Sequence, residues 1–202
     1  MAHLGEPLAF RTGGDLSDGE YDVRIESLGG ESNGWTRHDW VTLSLEIPAE
    51  GLAEALSLEV GRMGALTRGL EPEILQAELD VISHEHQQRL QSVTYADMQM
   101  IRREIYPPGH PYRQPLIAHS EHQGWSVEEV QAFEAMWLQP AQSMLLIVGP
   151  VSFSDVQNAL GERAERVDGP SLASAKPSLP PVETNERYLV WQEHRSESAL
   201  YM

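Results

Sequence analysis

Residues 40–66, WVTLSLEIPAEGLAEALSLEVGRMGAL, contain two kinds of hydrophobic repeat, one directly after the other. In the first part apolar and polar residues alternate, which is typical of a strand that buries one face. That face would carry Val41, Leu43, Leu45 and Ile47. Pro48 ends the strand, and the apolar residues after it recur at helical spacing. The stretch therefore predicts a strand followed by a helix, with Leu56, Val60 and Met63 on the buried side of the helix.

Two further helices are predicted later in the chain. Residues 72–91, PEILQAELDVISHEHQQRLQ, begin at a proline, which the first turn of a helix tolerates. Ser126 and Glu129 have the spacing of a capping box, in which each side chain bonds the backbone of the other residue at a helix start. The buried side of this helix would carry Val130, Phe133 and Trp137.

The remaining elements complete an α+β pattern. The apolar run at 143–149, SMLLIVG, predicts a short strand, and residues 152–167 predict a helix that begins at Ser154 or Asp155. Helices and strands together predict an antiparallel or mixed sheet that is covered by helices. Residues 1–167 form one domain in this interpretation, and residues 168–182 are rich enough in Pro and Ser to be a linker. After it, the stretch ERYLVWQE predicts the start of another strand.

The composition excludes several classes of partner. The chain has 202 residues, 41% hydrophobic and 22% charged, as in ordinary globular proteins. Its 31 acidic and 14 basic residues give a net charge of −17, which repels nucleic acid and anionic membranes. The acidity indicates either a well-solvated surface or, as a second interpretation, a basic peptide ligand. There is no cysteine, and no apolar run long enough to span a membrane or signal-peptide pattern is visible.

Two carboxylates of the helix predicted at 72–91 share one side with apolar residues. Glu78 and Glu85 project from nearly the same face, beside Ile74, Val81 and Ile82. They could be solvated residues at the edge of the face, or partners of Arg62 or Arg89. A carboxylate that is drawn into the core instead requires a cation or a metal. His84 and His86 flank Glu85 on other faces and are predicted to lie on the surface.

The opening residues MAHLGEP contain part of a zinc-peptidase box. His3 and Glu6 spell H-x-x-E, but the next residue is Pro7 instead of a histidine. In a complete box, two histidines four residues apart on a helix hold one zinc, and the glutamate between them reaches a metal-bound water. H-x-x-E by itself is common by chance and carries little weight.

The order of motifs along the chain is more specific than this box. His3 and Glu6 are followed by ESLGG at 26–30, NGWTRHD at 33–39, LSLEVGRM at 56–63, the two helical glutamates, YPPGHPY at 106–112 and IVG at 147–149. This order resembles the N-terminal catalytic half of the pitrilysin or insulinase family of zinc peptidases, whose box is the inverted H-x-x-E-H. The resemblance extends from His3 to about Val167. It implies the metallohydrolase fold of that family, apparently without its first strands, and it makes residues 183–202 the first strand of a second, related domain.

The resemblance also implies a role for each site residue. His3 would be the first zinc ligand, Glu85 the distant carboxylate ligand, and Glu6 the general base. Glu78 would be a supporting acid that interacts with the metal ligands and does not bind the zinc itself. Asn33 would lie on the edge strand, where a peptide substrate binds as an added strand.

Pro7 is the main departure from the family pattern, since it stands where the second histidine ligand is expected. Two protein ligands would hold zinc weakly or not at all, and the missing amide of Pro7 should distort the helix. His38 or His84 could replace the lost ligand, although neither has a spacing that argues for it. The strand edge where a substrate would bind also departs from the family pattern. Gly34 stands in place of the usual alanine, and Val41 and Leu43 stand in place of the usual threonine and aromatic residue.

Two functions are therefore expected from the sequence. The first is a non-catalytic or impaired subunit that binds peptide or an unfolded protein segment and pairs with a catalytic chain or with a second copy. The second is a zinc-dependent metalloendopeptidase domain that hydrolyses peptides with metal-activated water. An unrelated acidic α+β binding module is a third interpretation. A periplasmic location is favoured over a cytoplasmic one.

Overall fold

The structure, a computed structural model, describes residues 1–116, 124–161 and 179–182. Its helices and strands are α1 (Ala2–Arg11), α2 (Glu20–Ser27), β1 (Glu31–Thr36), β2 (Val41–Glu46), α3 (Leu52–Arg62), α4 (Pro72–Leu90), α5 (Val93–Ile105), α6 (Val127–Trp137) and α7 (Phe153–Leu160). Short 3-10 turns lie at Ala49–Gly51, Pro111–Arg113 and Pro140–Gln142. The predicted α+β class is confirmed: helices pack against a small antiparallel sheet.

The sheet within the described residues consists of the hairpin β1–β2. Its strands are antiparallel, with Asn33 opposite Ser44 and Gly34 opposite Leu43. Along β1 the residues alternate between exposed and half-buried, as expected for a strand covered on one face. Residues 41–45 of β2 are half-buried throughout, because a hairpin covered by a single layer is too small to enclose either face fully.

Helix α1 lies between two hydrophobic clusters and so occupies the centre of the fold. Leu4 and Leu8 pack into a cluster with α4 and α6, which also contains Leu70, Leu75, Leu79, Ile82 and Val130. On its other side, Phe10 packs against a second cluster of Tyr21, Ile25 and Leu58. Pro7 does not interrupt this helix, which runs unbroken from Ala2 to Arg11. The expected distortion does not break it, because buried neighbours on both sides hold the turn in place.

Helix α3 packs by the side that the sequence predicted to be buried, but this side is less enclosed towards the end of the helix. Leu56 is buried, whereas Val60 and Met63 are half-buried. The helix ends at Arg62, whose side chain is fully buried. The guanidinium donates to Glu59 and lies 4.4 Å above the ring of Tyr21, so a carboxylate and an aromatic face together offset its desolvation.

The loop between α3 and α4 is held by two side chains that had no predicted role. The carboxylate of Glu134 on α6 accepts hydrogen bonds from the amides of Leu66 and Thr67. The hydroxyl of Thr12, directly after α1, donates to the carbonyl of Leu66 at 2.5 Å. These bonds fix the start of α4 relative to the end of α1, and thereby position the two helices that form the site below.

Two predicted helix details are corrected by the structure. The capping box of Ser126 and Glu129 is confirmed at the start of α6. Trp137, however, is exposed, and Glu134 is buried instead, because its carboxylate faces the loop amides. Helix α7 begins after Ser152, which forms a capping box with Asp155, so the predicted start at Ser154 or Asp155 was late by two or three residues.

The predicted strand at 143–149 is wrong for the described residues. This run is irregular, and Met144 and Val148 are each 89% exposed. An apolar composition favours a strand only where a neighbouring strand can pair with it, and no described strand lies alongside. Residues 162–178, which include most of the predicted linker, and residues 183–202 lie outside the described part. Within that part, no helix has the length and apolar character that crossing a membrane requires.

Candidate functional site

A cleft of about 400 Å³ opens where α1, β1 and α4 meet. Every residue that the sequence assigned to the site lies on its wall: His3, Glu6, Asn33, Glu78 and Glu85. The two helices bring His3 and Glu6 together with carboxylates more than 70 positions later in the chain. The structure therefore brings the predicted site residues together, while their chemical roles remain predictions.

His3 and Glu85 face each other across the cleft from α1 and α4. The Nε2 atom of His3 lies 3.7 Å from Oε2 of Glu85, which is an ion-pair distance but too long for a hydrogen bond. Glu85 also has Nη2 of Arg89 at 3.8 Å, so one of the partners considered from the sequence is near it. The side chain of His3 is largely enclosed, whereas that of Glu85 is partly open to solvent.

Glu6 is anchored to the sheet. Its carboxylate accepts a hydrogen bond from the hydroxyl of Thr36 on β1 at 2.6 Å. Helix α1 comes so close to β1 here that a Cβ atom on Gly34 would lie 2.9 Å from Cγ of Glu6 and 3.0 Å from the ring of Phe10. A side chain at position 34 would therefore force the side chains of Glu6 and Phe10 to shift, and glycine avoids this.

Glu78 is the most deeply buried carboxylate of the cleft, and its partner is Arg11. Its side chain is 7% exposed, and Nη1 of Arg11 donates to its Oε1 at 2.7 Å. Arg11 also binds both oxygens of Asp18, at 2.8 and 2.7 Å. The hydrogen bonds that Arg11 donates to these two carboxylates raise its pKa, and the guanidinium lowers the pKa of Asp18. Arg62, which the sequence offered as a partner, instead binds Glu59.

Arg11 was missed in the sequence, although its position contains a usable signal. His3, Pro7 and Arg11 follow each other at intervals of four and therefore lie on one side of α1. All three line the cleft. A search for a cation on the same helix side as His3 would have found it.

Three other histidines of the described residues, at positions 38, 84 and 86, do not supply the missing ligand. His84 is exposed, as predicted, but His86 is buried, so the prediction that it lies on the surface is wrong. The buried side of α4 is rotated relative to the predicted one: it includes position 86, whereas Val81 is 50% exposed. His38 lies apart from the cleft, where its Nε2 atom is 3.3 Å from Nη1 of Arg102.

Asn33 lies at the mouth of the cleft on β1. Its side chain is exposed, and its Oδ1 atom accepts a hydrogen bond from the amide of Gly34 at 2.8 Å. Within the described residues β1 pairs only with β2.

The donors of the cleft do not fit a catalytic zinc ion. Such an ion takes three protein ligands and one water. His3 and Glu85 face each other, but Pro7 offers no donor, and the carboxylates of Glu6 and Glu78 are engaged by Thr36 and Arg11. Across the part of the chain that the structure describes, no three His, Asp or Glu side chains are grouped so as to hold a metal.

Comparisons with known proteins agree with the motif order. The chain is 26% identical over 157 residues to a curated protein named zinc protease PqqE from Helicobacter pylori, a match that covers 77% of this chain and 35% of that protein. No family profile matches the chain. The chain thus spans about a third of the length of this relative.

Two solved structures have a similar fold. A protease from Helicobacter pylori matches 90% of this chain and 42% of its own, with a TM-score of 0.75 and 24% identity. The first half of the periplasmic protease PqqL from Escherichia coli matches 90% of this chain and 40% of its own, with a TM-score of 0.72 and 17% identity. The predicted resemblance to pitrilysin-type zinc proteases is thereby confirmed.

Proposed function

We propose that this chain is a pitrilysin-type domain whose metal site is degenerate and whose function is to bind peptide rather than to cleave it. The observation that carries the proposal is Pro7, which lies in the wall of the cleft one helical turn after His3. A histidine there would complete the pair that holds zinc in the inverted box. With Pro7 in this place, His3 and Glu85 are the two candidate ligands among the described residues of the cleft, and two ligands are too few for a catalytic ion.

Peptide binding is supported by the edge of β1. An extended peptide can pair with an unpaired strand edge through its backbone, so that recognition tolerates many sequences. Ser32, Asn33 and Gly34 of this strand line the cleft. A peptide along β1 would therefore pass directly over His3, Glu6 and Glu85.

The proposal includes partners and location. Because the described residues of the cleft do not group three metal ligands, we propose that the chain works with a related catalytic chain or with a second copy. The net charge of −17 makes nucleic acid an unsuitable partner. The periplasmic protease among the similar structures supports a periplasmic, bacterial setting. Residues 1–167 would form the peptidase-like domain, residues 168–182 a linker and residues 183–202 the start of a related domain.

The first arm of the test measures metal and cleavage. Protein purified without chelator should contain far less than one zinc per chain and should not cleave an unfolded peptide. Pro7→His should gain zinc, because it adds a donor one turn after His3. Pro108→His, which adds a histidine in an exposed loop, is the matched control and should gain none.

The second arm measures binding of a dye-labelled unfolded peptide by fluorescence anisotropy in the presence of chelator. The wild type should bind, and Asn33→Ala should weaken binding by about 3- to 10-fold, or about 0.7–1.4 kcal/mol, as for a lost hydrogen bond. Asn158→Ala on the exposed side of α7 is the control and should not change it. Absence of binding by the wild type would contradict the proposal.

A zinc metalloendopeptidase is the second candidate. It is favoured by the approach of His3 to Glu85 and by the name of the curated relative. One zinc per wild-type chain together with cleavage that a chelator abolishes would establish it. A donor from outside the described residues would then have to complete the site.

A further inference from the structure

The charges on the wall of the cleft are strongly unbalanced. Among the described residues that line it, Arg11 is the sole arginine or lysine. Four carboxylates line the same wall: those of Glu6, Asp22, Glu78 and Glu85. Arg11 is bound to Glu78 and to Asp18, so two carboxylates already compensate its charge. The cleft therefore has an excess of negative charge, and the walls of a cleft concentrate the field of such a charge on a bound ligand.

Glu85 has a capacity to accept hydrogen bonds that the fold does not use. Within the described residues its Oε2 atom is enclosed but accepts no hydrogen bond. Nε2 of His3 and Nη2 of Arg89 lie 3.7 and 3.8 Å from it, beyond hydrogen-bond distance. The pair with Arg89 is partly exposed, and pairs of that kind contribute little. Because enclosed carboxylate oxygens are normally bonded, this carboxylate is suited to a cationic donor that a ligand brings into the cleft.

The cleft also has an apolar lining. It includes Pro7, Phe10, Val81 and Ile82. Val81 is 50% exposed, so part of this lining is open to a ligand. An apolar surface beside carboxylates suits a side chain that has a long aliphatic stem and a positive charge at its end. Lysine and arginine have this form, since their methylene groups cover apolar surface while the charged group stays with water or an anion.

Strand β1 determines which side chains of an added peptide would face the cleft. Its half-buried residues are Ser32, Gly34 and Thr36, and they alternate with exposed ones. Thr36 and Gly34 lie on the side that faces α1, where both approach Glu6. A peptide added beside β1 has the same period of two residues, so every second side chain would point towards α1 and the cleft.

We propose that the cleft selects peptides that carry lysine or arginine at alternate positions, with Glu85 as the residue that determines this specificity. The inference rests on the proposed function, since it assumes that an extended peptide binds along β1. The stem of a basic side chain would pack on the apolar lining, and its charged end would donate to the carboxylate of Glu85. The glutamate that the family resemblance assigns to zinc would thus have an organic cation as its partner, and binding should persist in chelator.

The test measures, by fluorescence anisotropy in EDTA, how the whole chain binds three labelled short peptides of serine, threonine and valine. The first peptide carries two lysines at alternate positions, the second carries two adjacent lysines, and the third carries none. The first should bind about 10-fold more tightly than the third and about 3-fold more tightly than the second, because it alone can place both lysines on the cleft side. The first two peptides have the same net charge, so their difference excludes general attraction to an acidic chain.

Two substitutions with the same change in net charge identify the responsible residue. Glu85→Gln should weaken binding of the first peptide by about 5- to 10-fold and leave binding of the third unchanged, which also shows that the variant is folded. Glu85→Asp keeps the charge and should retain part of the preference. Glu54→Gln, at an exposed position of α3 outside the cleft lining, is the matched control and should alter the affinity for neither peptide.

The outcomes separate this inference from the function on which it rests. Equal affinities of the wild type for all three peptides would overturn the inference while peptide binding stands. A preference for lysine that is the same for both spacings, or that Glu85→Gln leaves intact, would assign the preference to overall charge and overturn the proposed specificity. Binding of none of the peptides would overturn the inference and the proposed function together.

Discussion

Gly34 illustrates how a single residue controls the distance between α1 and the sheet. Its missing side chain allows Glu6 and Phe10 to approach β1, and this approach brings the carboxylate of Glu6 to the hydroxyl of Thr36. Residue 34 has the backbone of an ordinary strand residue. What matters is therefore the missing Cβ atom, which lets the helix approach, and not the conformational freedom of glycine.

Gly34→Val should therefore destabilise the chain. The new side chain would overlap with Glu6 and Phe10, and we expect the free energy of unfolding to fall by about 1–3 kcal/mol, the usual cost of overpacking. Urea denaturation measures it. Gly61→Val on α3 is the matched control, because nothing lies within 4 Å of the new Cβ, and its change should stay within about 0.5 kcal/mol. Equal effects of the two substitutions would contradict the close approach.

Helix α1 is the element on which the whole site depends. It contributes His3, Glu6, Pro7 and Arg11 to the cleft, and Leu4 and Leu8 to the main hydrophobic cluster. A short helix can serve both purposes because residues three and four positions apart lie on the same side. The site is consequently as rigid as the packing of this helix allows.

Helix α2 carries a carboxylate that makes part of the stability depend on pH. The amide and hydroxyl of Ser17 and the guanidinium of Arg24 lower the pKa of Glu20 to about 2. Because the folded pKa is below the unfolded value of about 4.5, the contribution is complete above pH 4.5 and is lost as the pH falls towards 2.

An NMR titration of the Glu20 side chain should accordingly show a midpoint near 2 in the wild type. Ser17→Ala removes one of the donors and should move that midpoint upward. Glu20→Gln should remove the corresponding part of the acid dependence from the unfolding curves. A wild-type midpoint at the ordinary value of a glutamate would show that these hydrogen bonds do not form in solution.

Across the whole molecule, hydrophobic burial is uneven. Leu8 is completely buried in the cluster between α1, α4 and α6, whereas Leu146, in the apolar run at 143–149, is 79% exposed. Two leucines of the same chain therefore contribute unequally to stability, because only the apolar area that folding removes from water contributes.

The same substitution at the two leucines tests this distribution. Leu8→Ala should lower the free energy of unfolding by about 2–5 kcal/mol, since it leaves a cavity in a closed cluster. Leu146→Ala should change it by less than about 0.5 kcal/mol. Chemical denaturation at two protein concentrations provides the measurement. A large effect at Leu146 would mean that the run is covered in solution.

Local features of the sequence were sufficient for much of the fold. Helical spacing and the capping box of Ser126 and Glu129 depend on residues within a few positions, so they predicted α3, α4 and α6 correctly. The motif order likewise indicated a protease-like fold with His3, Glu6 and the two glutamates of α4 at one site. Trp137 and the run at 143–149 were misjudged, because their burial depends on neighbours that an apolar pattern does not specify.

Only the tertiary structure decided which groups meet inside the site. The partner of Glu78 is Arg11, 67 positions away, and the partner of Glu6 is Thr36, 30 positions away. Such pairs form because α1 packs simultaneously on α4 and on the hairpin, and that packing is the sum of many weak contacts rather than a local preference. The sequence by itself thus determined helices α3, α4 and α6 and the residue types of the cleft, including the proline in its box. The packing of distant elements determined that an arginine, bound to a buried carboxylate, lies in that cleft.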